Sequence, residues 1–285
     1  KEKLAAAVLP AKQLKDLTFG VTTISVANNR SQPFHGAELM TQTLLGMPIQ
    51  VLKKQGGFYL VQSPDGYLAW TDGGSIALMN ESRFREWQTA KKVVFVSDYG
   101  HALAKAEDGA ARVSDLVAGN MLKLLAPEGA FTKVGFPDGR EAYVPTAQLA
   151  DYDTWIKRPM PNAEAILTTA QALIGVPYLW GGTSIKGVDC SGFTKTAYFL
   201  NGVIIPRDAS QQALVGQKVD VLENDSISIE KCLKNLQPGD LMFFSAAKRR
   251  GINGGRVSHT AIYMGEGQFI QSAGMVKISS ILPTA

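Results

Sequence analysis

The sequence predicts an α+β protein in which two small β-barrels precede a domain with a cysteine and a histidine suited to catalysis. Three observations support this prediction. The first half of the chain contains one unit twice, at a constant offset of 73 residues, the separation of Gly46 and Gly119. Cys190 stands where a helix should begin, and His259 opens a later β-strand. A thiol at a helix N-terminus that meets a histidine is a common basis for nucleophilic catalysis.

The composition is that of an ordinary globular protein. Of the 285 residues, 45% are hydrophobic and 19% are charged, which excludes disordered, collagen-like and coiled-coil chains. No apolar run is long enough to cross a bilayer, so we expect no membrane span. The formal net charge of +4 is small for this length and gives no reason to expect a nucleic-acid partner.

The chain contains only two cysteines, so no disulfide framework holds the fold. A bridge between Cys190 and Cys232 is possible, but Cys232 lies in a helix-like stretch and is expected to be a small buried apolar residue. The numbered chain begins with Lys1 rather than Met, which we expect to reflect a removed signal peptide or trimming of the chain.

The N-terminal repeat needs no gaps. Two Pro-Asp-Gly turns, at 64–66 and 137–139, keep the same offset as the glycines, and so do six pairs of mostly apolar residues. The pairs join Ile49, Val51, Leu52, Gly56, Phe58 and Val61 to Leu122, Leu124, Leu125, Gly129, Phe131 and Val134. Alternating apolar residues between turns predict short strands, and the duplication predicts two small barrels, one within residues 1–88 and one within 89–155.

The first copy resembles the bacterial SH3-like domains of cell-wall enzymes in residues 28–33, 37–42 and 66–70, and the second copy resembles them more weakly. Three side chains of the first copy are not kept in the second. These are Glu38, Tyr67 and Trp70, whose counterparts are Ala111, Arg140 and Tyr143. A shared fold needs only the apolar pattern, so the three are candidate site residues. The alternatives are a solvated carboxylate at position 38 and a barrel core residue at position 70.

Residues 151–161 are predicted to link the barrels to a last domain within 156–285, because the proline-rich run at 158–161 blocks regular structure. A helix is predicted to begin near Asn162 and to end with Gly175 in the C′ position. Asp189 and Cys190 begin a second predicted helix. The N–H groups and positive end of this helix favour the thiolate, so we expect a lowered pKa for Cys190 and a backbone donor for an oxyanion.

The alternative for Cys190 is a buried packing residue, which its glycine-flanked and exposed position disfavours. His259 begins an alternating segment, and a turn at 265–267 leads into a second strand that contains Gln271. A hairpin this tight lays Gln271 beside His259 within a residue or two of register. Gln271 can then hold the imidazole in the tautomer that leaves the other nitrogen facing Cys190, although a lone structural histidine is the alternative.

Residues 160–285 resemble the NlpC-type family of papain-like cell-wall peptidases. Five motifs in the expected order carry this resemblance: residues 177–182, 189–193, 206–211 and 236–241, and the His259 hairpin. The resemblance implies a papain-like fold, a nucleophile at Cys190, a base at His259 and a third polar residue at Gln271, where the family often has another histidine. It also places Tyr178 near the oxyanion site, with an ordinary core aromatic as the alternative.

The paired SH3-like domains narrow the resemblance to peptidases that cut murein peptides between γ-D-Glu and the diamino acid and require a free N-terminal L-Ala. In that group the first SH3-like domain closes the cleft. A cationic amine in a closed pocket needs carboxylates, and Glu38 and Asp208 are the candidates. Asp208 can instead form a capping box with Gln211, or serve both purposes. The expected oxyanion and substrate contacts are Tyr178, Trp180, Asp189, Ser191, Asp208, Ser210, Glu38, Tyr67 and Trp70.

The leading hypothesis is therefore a monomeric cysteine endopeptidase that needs no cofactor or metal and takes murein-derived peptides as its substrate. A cell-wall-binding protein and a related cysteine amidase or acyltransferase stay open as alternatives. The sequence does not choose between meso-diaminopimelate and lysine. We expect a location in the cell envelope, periplasmic or exported, with a cytoplasmic recycling role as the alternative. An insertion at 219–235 shapes the cleft rim or decorates it, and a basic loop at 248–256 is placed to attract substrate carboxylates.

Overall fold

The computed structural model describes residues 8–157, 160–224, 226–245 and 257–283. The chain forms two compact units, residues 1–157 and residues 158–285. The first unit is built from β-sheets, and the second combines helices with a sheet. The division of the first unit into two domains near residue 88 stays a prediction.

Among residues 8–157, the structure shows two seven-stranded antiparallel sheets. The first sheet contains β1 (Phe19–Thr22), β2 (Val26–Arg30), β3 (Leu39–Leu44), β4 (Pro48–Gln55), β5 (Phe58–Gln62), β6 (Leu68–Asp72) and β7 (Ile76–Met79). Its spatial order is β3-β2-β6-β5-β4-β1-β7. The helix α1 (Glu81–Thr89) follows, and short 3-10 helices occur at Lys12–Leu14 and Gly73–Ser75.

The second sheet repeats the first. It contains β8 (Lys92–Phe95), β9 (Tyr99–Leu103), β10 (Arg112–Val117), β11 (Met121–Glu128), β12 (Phe131–Gly135), β13 (Glu141–Pro145) and β14 (Leu149–Asp151), with a 3-10 helix at Thr146–Gln148. Each strand begins 73 residues after its counterpart, and the spatial order, β10-β9-β13-β12-β11-β8-β14, is the same. The predicted duplication is therefore confirmed at the level of backbone topology.

The repeated apolar pattern supplies the cores of the two sheets. Ile49 and Val61 are buried in the first, and their counterparts Leu122 and Val134 are buried in the second. Burial of apolar surface contributes about 25 cal/mol per Å² to stability, so positions that face inward keep their apolar character in both copies. Most of the repeated apolar positions therefore face inward, but Leu125 is 42% exposed although its counterpart Leu52 is buried.

The predicted linker at residues 151–161 is only partly correct. The chain forms the short helix α2 (Tyr152–Ile156) there, and the Asp151 side chain accepts a hydrogen bond of 2.8 Å from the backbone N–H of Thr154. An N-cap of this kind stabilises a helix start. The prolines that follow disfavour regular structure only after residue 157, whereas the Asp151 cap starts a helix before them. Residues 158 and 159 lie outside the described residues.

The second unit places helices against a four-stranded antiparallel sheet in the part of it that the structure describes. Its helices are α3 (Ala163–Ala172), α4 (Cys190–Phe199), α5 (Ala209–Gln212) and α6 (Ile229–Asn235). Its strands are β15 (Thr183–Ser184), β16 (Gly187–Val188), β17 (Leu222–Glu223), β18 (Ser226–Ile227), β19 (Leu241–Ser245), β20 (Val257–Gly265), β21 (Gln268–Ala273) and β22 (Met275–Ser280). The four-stranded sheet has the order β19-β20-β21-β22.

Helix α3 begins where the sequence predicts. The Asn162 side chain accepts a hydrogen bond of 2.9 Å from the backbone N–H of Ala165. The predicted end is wrong, because α3 stops at Ala172 with Leu173 as its C-cap, so Gly175 does not occupy the C′ position. Gly175 has φ +88° and its N–H donates to the carbonyl of Val276, which ties the turn after α3 to β22.

The core of this unit lies between α3, α4 and the sheet, and it includes Ile166, Phe193, Ala197, Ile262 and Ile270. This packing holds the N-terminus of α4 against β20, where Cys190 and His259 are found. No helix in the described parts of the chain is long and apolar enough to span a membrane. The insertion at 219–235 contains β17, β18 and α6, and it buries Cys232 as predicted.

Candidate active site

Cys190 is the first residue of α4, and Asp189 is the N-cap of that helix. Oδ1 of Asp189 accepts a hydrogen bond of 2.7 Å from the backbone N–H of Gly192. The predicted helix start is therefore confirmed. The expected exposure of the cysteine is wrong, because Cys190 is only 7% exposed. The first turn of α4 is packed under neighbouring chain segments, which a pattern along the sequence does not reveal. Both cysteines are free.

The expected lowering of the Cys190 pKa is also wrong. Burial raises the pKa of the Cys190 thiol, and the carboxylate of Asp189 raises it further. Hydrogen bonds from the backbone N–H groups of Thr260 and Ser191 and the charge of Arg207 act in the opposite direction without reversing the shift. Loss of hydration disfavours the thiolate more than the helix N-terminus favours it. Cys190 therefore needs a base that accepts its proton.

Strand β20 carries a candidate base, His259, one residue before the backbone N–H that contacts the thiol. Thr260, whose N–H reaches Cys190, directly follows His259 in β20. Nε2 of His259 lies 2.6 Å from Oε1 of Gln271. Because Ile262 pairs with Ile270, Gln271 lies opposite Ala261 and diagonal to His259, two residues from direct register. The predicted position of Gln271 beside His259 is confirmed.

Ser279 on β22 orients Gln271, and sequence reasoning missed it. Nε2 of Gln271 donates a hydrogen bond of 2.8 Å to Oγ of Ser279. Because the amide nitrogen of Gln271 donates to Ser279, its Oε1 is directed to His259 and accepts a hydrogen bond from the N–H at Nε2 of the imidazole. In this tautomer Nδ1 carries a lone pair and can act as the base. The alternating residues after Gly274 were the only signal for β22.

A buried ion pair stands beside the nucleophile. Nη2 of Arg207 lies 2.6 Å from Oδ2 of Asp189, and Nη1 lies 3.1 Å from Oδ1. Nη1 also donates to Oγ of Ser191 over 2.9 Å. The two residues that flank Cys190, predicted as substrate contacts, are thus both bound by one guanidinium. Sequence reasoning gave Arg207 no role, although it lies within one of the five motifs.

Tyr178 lies close to the nucleophile, as the resemblance implied. Burial raises the pKa of Tyr178 to about 12, and the charges of Cys190 and Asp189 add to the shift. Its hydroxyl is therefore protonated at neutral pH and can donate a hydrogen bond. Its backbone N–H donates to the carbonyl of Gly274, which connects the segment before α4 to the sheet. Trp180, two residues on, is 59% exposed.

Asp208 and Ser210 lie at the start of α5, and both are half-buried. Asp208 is the N-cap of this short helix, and its N–H donates over 3.3 Å to Oε1 of Gln211. The capping box expected for Asp208 is present. A role for either side chain in substrate binding stays a prediction.

Glu38, Tyr67 and Trp70 belong to the first compact unit, where Glu38 is exposed and the other two are half-buried. Trp70 pairs with Leu60 and Arg30 on neighbouring strands and is not a buried core residue. The counterpart of Tyr67, Arg140, donates to the carbonyl of Thr23 over 2.8 Å. Part of the difference between the copies is therefore explained by contacts between them. The basic loop at 248–256 lies outside the described residues.

Known proteins show the same two kinds of domain. The NlpC/P60 family profile matches residues 175–283, and the profile of the bacterial dipeptidyl-peptidase SH3 domain matches residues 29–73. The crystal structure of an NlpC/P60 family protein from Bacillus cereus superimposes with a TM-score of 0.77 at 23% identity and covers 93% of this chain and 94% of that one. This likeness confirms the predicted fold class.

Two relatives are similar along most of their length. The γ-D-glutamyl-L-lysine dipeptidyl-peptidase of Bacillus cereus is 29% identical over 254 residues, which are 86% of this chain and 71% of the relative. The enzyme of the same name from Bacillus subtilis is 27% identical over 257 residues, 86% of this chain and 75% of the relative. The chain therefore combines an NlpC/P60 domain at residues 175–283 with a bacterial dipeptidyl-peptidase SH3 domain at residues 29–73.

Proposed function

We propose that this chain is a cysteine endopeptidase that hydrolyses the bond between γ-D-Glu and the diamino acid in short murein peptides with a free N-terminal L-Ala. The observation that carries the proposal is the site itself: a thiol at a helix N-terminus, a histidine on the adjacent strand, and a glutamine 2.6 Å from that histidine. The names of the relatives, γ-D-glutamyl-L-lysine dipeptidyl-peptidases, support this choice of bond.

In the first chemical step, Sγ of Cys190 attacks the γ-carbonyl carbon of D-Glu while Nδ1 of His259 takes the thiol proton. The carbonyl π electrons move to oxygen, and the resulting oxyanion meets donors from the first turn of α4 and from the Tyr178 hydroxyl. Because the Cys190 pKa is raised, the proton transfer accompanies the attack rather than preceding it. Gln271 holds the imidazole throughout and stabilises its charged form.

Collapse of the tetrahedral intermediate breaks the C–N bond, and His259 gives its proton to the leaving amine of the diamino acid. A thioester between Cys190 and the γ-carboxyl of D-Glu remains. His259 then takes a proton from water, whose oxygen attacks the thioester, and the thiol leaves with the proton restored. The products are L-Ala-D-Glu and a peptide or amino acid that begins with the diamino acid.

Recognition of the substrate amine is the part of the proposal that extends to the first unit. We assign Asp208 as a carboxylate that meets the L-Ala ammonium. For the first unit, we propose Glu38 as a candidate carboxylate for the same role and Tyr67 and Trp70 as candidate substrate contacts. Trp180, Ser191 and Ser210 are the further contacts around the peptide. We place the protein in the cell envelope as a monomer, with cytoplasmic peptide recycling as the alternative location.

The test is mass spectrometry of the products from L-Ala-γ-D-Glu-L-Lys and from its meso-diaminopimelate analogue, each with a free and with an acetylated N-terminus. We expect L-Ala-D-Glu from the free peptides only, and no product from the Cys190→Ala variant. Cleavage of acetylated peptides would remove the amine-recognition role and keep the peptidase. No cleavage of any peptide by the unaltered chain would reject the proposed function in favour of a binding module, an amidase or an acyltransferase.

A further inference from the structure

We propose that Arg207 is a positioning residue for the nucleophile: it holds the first turn of α4, and with it Cys190, in the geometry that the reaction needs. This inference deepens the proposed function and rests on it. The hydrogen bonds of Arg207 to Asp189 and Ser191 reach the residues on each side of Cys190, and its positioning effect on the thiol passes through these two residues.

The contacts of Arg207 form a clamp around the cysteine backbone. Its guanidinium binds both carboxylate oxygens of Asp189, at 3.1 and 2.6 Å, and the hydroxyl of Ser191 at 2.9 Å. The exposed fractions of Arg207 and Asp189 are 2% and 5%. A planar guanidinium matches a carboxylate through two parallel hydrogen bonds, which sets the orientation of both groups and not merely their distance.

Asp189 connects Arg207 to the surrounding backbone through two further hydrogen bonds. Its Oδ1 accepts from the N–H of Gly192 at 2.7 Å, and its Oδ2 accepts from the N–H of Gly181 at 2.8 Å. The carboxylate therefore joins three elements: the first turn of α4, the turn at Gly181 and the segment that carries Arg207. If the carboxylate rotates, the N-cap of α4 and the approach to Cys190 both change.

A second buried side chain ties the same segment to α4. Nε2 of Gln212 donates to the carbonyl of Ser191 at 3.1 Å, and its Oε1 accepts from the Thr194 hydroxyl at 2.9 Å. Gln212 is fully buried. Residues 206–212 are thus attached to the first turn of α4 at two points, and Gln212 keeps the helix docked when the Arg207 contacts are changed.

Charge gives Arg207 a second effect on the same site. The charge of Asp189 disfavours the Cys190 thiolate and the charge of Arg207 favours it, while Tyr178 lies close enough to Cys190 for its own pKa to be affected. An unpaired Asp189 carboxylate beside the thiol would oppose the thiolate, and the Arg207 charge offsets it. Loss of Arg207 should therefore change the reactivity of the thiol, whereas a purely structural role predicts only a loss of stability.

The experiment uses three variants in the full chain: Arg207→Lys, which keeps the charge and loses the planar fork; Arg207→Met, which loses both; and Asp189→Asn with Arg207→Met, which removes both charges and keeps an amide N-cap. The exposed Arg83→Lys is the matched control. Iodoacetamide alkylation of Cys190, followed by peptide mass spectrometry across a pH series, reports thiolate formation without any murein substrate. Turnover of L-Ala-γ-D-Glu-L-Lys gives kcat and KM.

For Arg207→Lys we expect kcat to fall about 10- to 100-fold with KM nearly unchanged, since small misplacement of a reacting group has effects of that size. For Arg207→Met we expect the midpoint pH of alkylation to rise by about half a pH unit or more. For the double variant we expect this midpoint to return towards the value of the unaltered chain. If Arg207→Met does not fold, the lysine and double variants still decide the question.

Unchanged kcat and unchanged alkylation in variants with lowered thermal stability would overturn the positioning role and leave a structural one. These results are separable from the proposed function. If the unaltered chain cleaves no murein peptide, the function fails while the alkylation series still tests the clamp. If the unaltered chain cleaves the peptide and the Arg207 variants behave like Arg83→Lys, only the positioning role of Arg207 is rejected.

Discussion

Cys190 combines two features that oppose each other at the scale of the residue. It occupies the N-terminus of a helix, which favours a thiolate, and it is 7% exposed beside the carboxylate of Asp189, which disfavours one. The second effect is larger, and the pKa of the thiol is raised by burial first and by Asp189 second. The site therefore depends on His259 for proton removal more strongly than an exposed thiol would.

This environment predicts how His259→Ala behaves. A raised pKa means that the thiolate fraction at a given pH is smaller than for an exposed cysteine, and that it increases only as the pH passes the raised value. We expect alkylation of Cys190 in this variant to be slower at neutral pH than alkylation of glutathione, and turnover to fall by about 10²- to 10⁴-fold. The measurement is alkylation rate against pH, followed at the Cys190 peptide. A variant cysteine that reacts at neutral pH as fast as glutathione would contradict the raised pKa.

At the scale of the element, α4 is placed by backbone packed directly on backbone. A Cβ atom on Gly192, in the first turn of α4, would overlap the carbonyl oxygen of Gly182. A Cβ on Gly182 would in turn overlap the carbonyl of Gly187. The loop before the helix thus lies against the helix itself, and the N–H groups of Gly181 and Gly192 converge on one carboxylate, that of Asp189.

Gly192→Ala tests this packing, because helix propensity and the overlap with the neighbouring loop change the stability in opposite directions. Alanine is the better helix former by about 1 kcal/mol, so propensity alone predicts a more stable helix. The overlap with the Gly182 carbonyl predicts the reverse, a loss of about 1–3 kcal/mol, together with reduced turnover because the turn beside Cys190 must move. Thermal unfolding and kcat would be measured, with Gly57→Ala as the control, since a Cβ there meets nothing within 4 Å. Stabilisation by Gly192→Ala would show that the loop adapts.

At the scale of the whole molecule, the first unit contains a joint between its two repeated sheets. The N–H of Met121, at the start of β11, donates to the carbonyl of Leu45 at 2.9 Å, and the Leu45 side chain is buried in the core of the second sheet. Asn120 donates to the carbonyl of Ser25 at 2.9 Å, and the Ser25 hydroxyl contacts Asp115 at 2.9 Å. These groups are buried or partly buried, so the two sheets are joined by specific polar contacts as well as apolar ones.

Gly46→Ala should break this joint. A Cβ at Gly46 would overlap the Met121 carbonyl, and Gly46 has φ +81°. Gly66 has the same φ of +81°, and a Cβ there meets nothing within 4 Å, so Gly66→Ala carries the backbone strain without the clash. We expect Gly46→Ala to lose about 1–3 kcal/mol more than Gly66→Ala in thermal unfolding of the full chain. Equal losses of stability in the two variants would mean that the contact between the sheets accommodates the added methyl group without cost.

The features determined by the sequence are those that repeat or alternate along the chain. The 73-residue offset predicted two copies of one β unit, and the glycine turn after His259 predicted the hairpin that brings Gln271 to it. The helix starts at Asn162 and Asp189 followed from capping residues next to apolar runs. Each of these depends on interactions between residues close in the chain, or on a pattern that one strand or helix carries by itself.

Only the tertiary structure decided the properties that depend on neighbours far away in the chain. The raised pKa of Cys190 arises from burial, which is a sum over all segments packed around the thiol. The pairing of Arg207 with Asp189 spans 18 residues, and the contact between Gln271 and Ser279 requires the register of β21 with β22. Hydration and electrostatic effects depend on distance in space, and the sequence order of these residues does not contain that distance.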